Sequence, residues 1–253
     1  MNYILYGFLA GIFTWILTIL GSLMVYSINV RKKSLIAVFL GFGGGVMVAA
    51  SFFSLLLPSI DYSNSLNYKP WLICIIGFIV GVVIILFIDL ILRKKDTIDE
   101  INKNNTLMVL AVVIHNIPEG LAIGVAFGSL SIGIDSSSLI SAIMLSVGIG
   151  LQNFPEGAAI SIPLRSTGMN KHKAFLIGAI SAVVEPIAAV IGVILVSVIE
   201  LALPLVLVIA AAIMIFVVID EIISLGHDYH KRLTSIGFIM GFIIMMVLDL
   251  AFG

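Results

Sequence analysis

His115, Asn116 and Glu119 stand within one apolar run that reads H-N-I-P-E-G through Gly120. Thirty-seven residues on, Gln152, Asn153 and Glu156 repeat the pattern in Q-N-F-P-E-G. On a helix, residues i and i+4 share a face and i+3 lies alongside. Each motif therefore gathers its polar groups on one side. A third apolar run adds Glu185, in V-V-E-P. The seven groups comprise one imidazole, three amides and three carboxylates, with no thiolate. Such a nitrogen and oxygen set suits borderline divalent metals: zinc, iron, manganese or cadmium. It holds more ligands than one tetrahedral ion uses, and two adjacent ions bridged by Glu119 and Glu156 are one solution. Two carboxylates about 4 Å apart repel by ~4 kcal/mol at an effective dielectric of 20, so metal and proton occupancy are expected to be coupled.

Each motif carries a proline, Pro118 or Pro155, whose missing N–H leaves the carbonyl of Ile114 or Leu151 without its helical partner. A bend is predicted there, with the freed carbonyl facing a cavity or a cation.

The elements that position these groups are membrane spans. The 253 residues are 61% hydrophobic and only 11% charged, and mean hydropathy is +1.24. A soluble domain of this length is far more polar. The net charge of −1 leaves no electrostatic footprint for nucleic acid, and no such partner is expected. Cys74 is alone, which excludes a disulfide framework and a thiolate cluster. No basic region precedes the first apolar run, which reads as a retained span.

Eight apolar segments fit the roughly 20-residue spanning length: 3–27, 34–57, 70–92, 106–129, 138–163, 173–198, 204–225 and 234–252. The expected fold is all-α: a single polytopic membrane domain over 1–253, with eight transmembrane helices. The connecting loops alternate sides, and one side holds twelve of the thirteen Lys and Arg residues, with Lys69 alone on the other. The positive-inside rule then puts both termini outside. His115 lies about ten residues into its span, or ~15 Å, near mid-membrane. Two like motifs at the midplane of consecutive antiparallel spans imply a pseudo-two-fold axis in the membrane plane, the organisation of inverted-repeat transporters.

Further groups fall along the chain. Met47, Ser54 and Asp61 are spaced by seven and share one stripe of the second span. The run Gly41-Phe42-Gly43-Gly44-Gly45 offers either close helix packing or a smooth surface on which a neighbour slides. The seventh span ends Asp220-Glu221, with His227 and His230 beyond, as an exit site or a solvated helix end.

At these residues the chain resembles the ZIP (Zrt-, Irt-like protein) family of divalent metal transporters, and most of all its GufA-type prokaryotic branch. The resemblance covers all eight spans and rests on H-N-x-P-E-G, Q-N-x-P-E-G and V-E-P in the fourth, fifth and sixth. It implies a binuclear centre, with His115, Glu119, Gln152 and Glu156 on one ion. Asn116, Glu119, Asn153, Glu156 and Glu185 would hold the second. It implies an entry path along Met47, Ser54 and Asp61, and an exit near Glu221 and His227. It further implies an elevator-like movement of the first, fourth, fifth and sixth spans against the others, and frequent homodimers. The expected function is uptake of divalent metal, Zn²⁺ first and Cd²⁺, Fe²⁺ or Mn²⁺ as competitors, across the plasma membrane. The metal is cargo, and no organic cofactor or enzyme activity is expected. The alternative is an intramembrane metal-dependent hydrolase, which lacks the H-E-x-x-H helix. Two departures from the family pattern stand out: Pro58 is followed by Ser59, not an acid, and the seventh span ends D-E-I-I-S-L-G-H.

Overall fold

The computed structural model describes residues 2–27, 33–93, 100–131 and 139–252. Among them there is no strand. Eight helical spans run in chain order: α1 (Tyr3–Ser22), α2 (Lys33–Ser65), α3 (Pro70–Arg93), α4 (Glu100–Ser129), α5 (Leu139–Ser166), α6 (Lys171–Ile194), α7 (Val196–Val217) and α8 (Ser224–Phe252). Seven of these regions are long and apolar enough to cross a membrane. The remaining span, α5, has the length at 28 residues, but Gln152, Asn153 and Glu156 dilute its apolarity.

Differences from the expected spans have local causes. The second span continues to Ser65, and the seventh begins at Val196 with Pro204 inside it. Two π turns interrupt regular helix, Ser51–Leu56 within α2 and Val218–Ile223 following α7. Helices α4 and α5 continue through Pro118 and Pro155. The break comes instead in α6, between Ser181 and Val184, just before Pro186.

That break can be accounted for bond by bond. Val183 N–H donates to the Ile180 carbonyl at 3.0 Å and Glu185 N–H to that of Ala182 at 3.0 Å. Both are i−3 bonds, so the carbonyls of Ala179 and Ser181 lose their i+4 donors. Buried carbonyls require partners. The Trp15 indole N–H donates to Ala179 at 2.7 Å, and the Asn116 amide donates to Ser181 at 3.2 Å. One motif residue thus completes the broken helix.

Packing follows a two-fold pattern. Helix α1 lies on α5 as α6 lies on α4; α2 lies on α8 as α7 lies on α3; α2 meets α5 as α7 meets α4. This is the inverted repeat expected from the motifs, and both π turns fall on the related spans α2 and α7. Glycines reveal two bodies. A Cβ on Gly41 would lie 1.9 Å from the Thr234 carbonyl oxygen of α8, and one on Gly157 would lie 2.1 Å from that of Thr18 in α1. Among the described glycines, every such approach to another helix's backbone below 3.0 Å falls within α1/α4/α5/α6 or within α2/α3/α7/α8. Across the seam, Gly43 of α2 faces only Ala159 of α5, at 3.0 Å from its Cβ. The glycine run packs tightly on α8 from one face through Gly41 and Gly45, and Gly43 meets Ala159 of α5 from another.

Apolar clusters flank the polar residues on both sides. One gathers Met47, Met108, Val112, Ile160, Leu164 and Met214 on the side of the basic loops. Another, around Leu55, Val125, Leu203 and Leu207, lies toward the chain termini.

Candidate metal centre

His115, Asn116, Glu119, Gln152, Asn153, Glu156 and Glu185 converge at mid-span, and none is more than 4% exposed. Helix α4 presents three of them, α5 three, and the second half of α6 the last. The intervening residues Ile117 and Phe154 are exposed on the outer faces of their helices, where lipid would meet them. His115 Nε2 lies 3.1 Å from Glu119 Oε1 and 3.8 Å from Glu156 Oε2. Ligand atoms of these three residues all fall within 4.8 Å of one another.

The oxygens here are poorly served by hydrogen bonds. The His115 contact to Glu119 Oε1 aside, both oxygens of Glu119, Oε1 of Glu156 and the amide oxygens of Asn116 and Asn153 have no hydrogen-bond donor among the described residues. Buried acceptors left this way cost about 1–3 kcal/mol each, so a fold retains them for a purpose. The Asn116 amide nitrogen is committed to Ser181, and that of Asn153 donates to Glu185 Oε2 at 2.8 Å. Each amide is thereby oriented with its oxygen free. Oxygen-rich, donor-poor and anionic, the pocket is complementary to a divalent cation.

Gln152 differs from the other amides. Its Oε1 accepts from Ser54 Oγ at 2.8 Å, and its Nε2 donates to Oδ1 of Asp249 on α8. Ser54 Oγ also lies 2.9 Å from the same Asp249 oxygen. Asp249 is a buried acid that sequence reasoning passed over. Its signal was faint: one carboxylate at the end of the last apolar run, where acids ordinarily face solvent.

A cavity of about 100 Å³ reaches this group from the side of the chain termini, lined by Ser54, Tyr62, Glu119, Gln152 and Asp249 among others. Of the expected entry stripe, only Ser54 lines it. Asp61 is exposed beyond, and Met47 is buried in the apolar cluster on the opposite side. A π turn at Ser51–Leu56 interrupts this stripe, and its extra residue rotates the helix by about 100° between Met47 and Asp61. At the other end His227 is exposed, and the side chain of Glu221 lies outside the described residues.

Fold and site together define a polytopic α-helical membrane protein with a buried cluster of carboxylates, imidazole and amides, of which His115, Glu119 and Glu156 are close enough together to hold a metal ion. The sequence profile described as ZIP Zinc transporter matches residues 93–249. Zinc transporter ZIPB of Bordetella bronchiseptica is 35% identical over 98% of this chain and 82% of its own length. Zinc transporter ZIP11 of Xenopus tropicalis is 31% identical over 99% of this chain and 98% of its own. Zinc transporter GufA of Myxococcus xanthus is 35% identical over 58% of this chain and 56% of its own. This chain belongs to the ZIP family.

Proposed function

We propose that this protein carries Zn²⁺ into the cytoplasm, by binding two ions between Glu119 and Glu156 at mid-membrane. One observation carries the reading: a histidine and two glutamates converge at mid-span among buried oxygens that nothing donates to. The ligand assignment follows the motifs. His115, Glu119, Glu156 and, once its oxygen is freed, Gln152 hold one ion; Asn116, Glu119, Asn153, Glu156 and Glu185 hold the other. Access from one side and an apolar seal on the other favour a carrier cycle over an open pore. The two glycine-packed bodies are the moving parts, with α1, α4, α5 and α6 shifting against α2, α3, α7 and α8. The resemblance adds a homodimer in the plasma membrane. No observation favours the hydrolase alternative.

Purified protein in liposomes tests this directly. Vesicles holding a zinc indicator should fill well above protein-free vesicles, and Cd²⁺, Fe²⁺ and Mn²⁺ added outside rank the competitors. Filling at the protein-free rate would remove the transport reading.

Orientation rests on the partition of Lys and Arg. Asn2 is exposed at one end of the bundle and Lys173 at the other. In intact cells carrying a Cys74→Ala background, Asn2→Cys should react with an impermeant maleimide and Lys173→Cys should not. The opposite labelling pattern reverses the proposed direction.

A further inference from the structure

We propose that Asp249 is a positioning residue, which aligns the Gln152 amide so that its oxygen can take a metal ion, with Ser54 as a competing donor for that oxygen. The inference rests on the reading of Gln152 as a ligand of the transported ion. The three residues come from three helices: Ser54 from α2, Gln152 from α5 and Asp249 from α8. Nothing in the two motifs pairs them.

The geometry limits what each group can do. An amide has a donor end and an acceptor end, and a carboxylate only accepts. Asp249 Oδ1 therefore selects the NH₂ end of Gln152 and turns the carbonyl end away. An amide held the other way round would present two N–H donors to a cation and repel it. Asn116 and Asn153 have their nitrogens committed in the same manner, to the Ser181 carbonyl and to Glu185. All three amides of the centre are thus oriented by an acceptor behind them.

Ser54 supplies the second half of the device. Its hydroxyl has one hydrogen but lies within bonding distance of both Gln152 Oε1 and Asp249 Oδ1. When it donates to Gln152, it occupies the lone pair a cation would use. When it donates to Asp249, Gln152 Oε1 is free. Rotation about one serine bond is enough to pass from one arrangement to the other, and Asp249 keeps its grip on the amide nitrogen throughout. All three residues line the cavity that reaches the centre.

The two partners of Gln152 should therefore act with opposite sign. Equilibrium Zn²⁺ binding to purified protein is the measurement, with liposome flux in parallel. Asp249→Ala should weaken binding about tenfold, as expected for loss of one charge-assisted hydrogen bond. Ser54→Ala should tighten binding about fivefold, since it removes a neutral hydrogen bond that competes with the ion. Asp249→Asn, which keeps an acceptor oxygen for the Gln152 N–H, should recover most of the loss. In the Gln152→Ala background, Asp249→Ala should have no further effect. Apo melting temperatures identify any variant that has lost its fold, and Asp249→Asn and Ser54→Ala change the least volume.

Multiplying effects of Asp249→Ala and Gln152→Ala, or an Asn variant as impaired as the Ala one, would show that Asp249 acts on the ion through its own charge and would overturn the proposal. So would weakened binding in Ser54→Ala. Wild-type protein that binds Zn²⁺ but transports none would defeat the transport reading and leave this binding cycle to be judged separately.

Discussion

Glu119→Gln and Glu156→Gln should each reduce zinc uptake by about 100-fold or more, the equivalent of the ~3–5 kcal/mol lost when one partner of a buried charged set is removed. Each glutamate lies against His115, and each is the one carboxylate of its motif, beside His115 and Asn116 in the first and Gln152 and Asn153 in the second. In the proposed two-ion site, an amide in place of a bridging carboxylate would remove a full negative charge from between two cations. Stability should move the other way. Among the described residues, both oxygens of Glu119 and one of Glu156 are buried without a hydrogen-bond donor. Replacing a buried carboxylate whose close neighbour is the single imidazole of His115 should leave the apo protein as stable as before, or more so. Ligand binding to the folded state alone stabilises it by about 2.7 kcal/mol at a hundredfold excess over Kd, and that zinc-dependent rise in melting temperature should vanish in both variants. Thermal melts with and without Zn²⁺, set beside flux, check the pair of expectations. A variant that keeps normal flux, or keeps its zinc-dependent rise, would exclude that glutamate as a bridge.

A covalent tie across the seam between the two bodies should stop transport. Gly43 of α2 faces Ala159 of α5 with a Cβ-to-Cβ distance of 3.0 Å. Disulfides need about 3.5–4.5 Å between these atoms, so a small parting of the helices accommodates one. In a Cys74→Ala background, oxidised Gly43→Cys/Ala159→Cys protein should transport at under about a tenth of its reduced rate, since a carrier whose bodies cannot move cannot complete its cycle. Reductant should restore flux, and equilibrium zinc binding should persist in both forms. The control lies within one body. Gly77 of α3 faces Val208 of α7 at 2.6 Å between Cβ positions. A Gly77→Cys/Val208→Cys bridge joins helices that travel together and should leave flux intact. Equal flux in oxidised and reduced seam-tied protein would mean that the ion crosses without relative motion of the bodies. The centre would stand and the two-body reading would fall.

Much of this was legible in the sequence, because a bilayer imposes rules that act locally. Span length and apolarity yield eight helices with their order. The i, i+3, i+4 geometry of one helix is enough to place His115, Asn116 and Glu119 together, with no knowledge of any neighbour. Repetition of that pattern on the next antiparallel span already implies the two-fold relation that the packing displays. The donor chemistry follows from residue type alone.

Tertiary structure decided what depends on which faces meet. Asp249 reaches Gln152 across 97 residues of chain, and a carboxylate at a span's end looks in sequence like any interfacial acid. The orientation of Asn116 depends on the Ser181 carbonyl, which is free only because α6 breaks before Pro186. The π turn in α2 has no residue signature, yet its one added residue breaks the seven-residue stripe, and of that stripe Ser54 lines the cavity while Met47 lies in an apolar cluster. Local rules specify what each helix carries; the register and rotation of helices against one another are set by close packing between residues far apart in the chain, and there one inserted residue redirects everything beyond it.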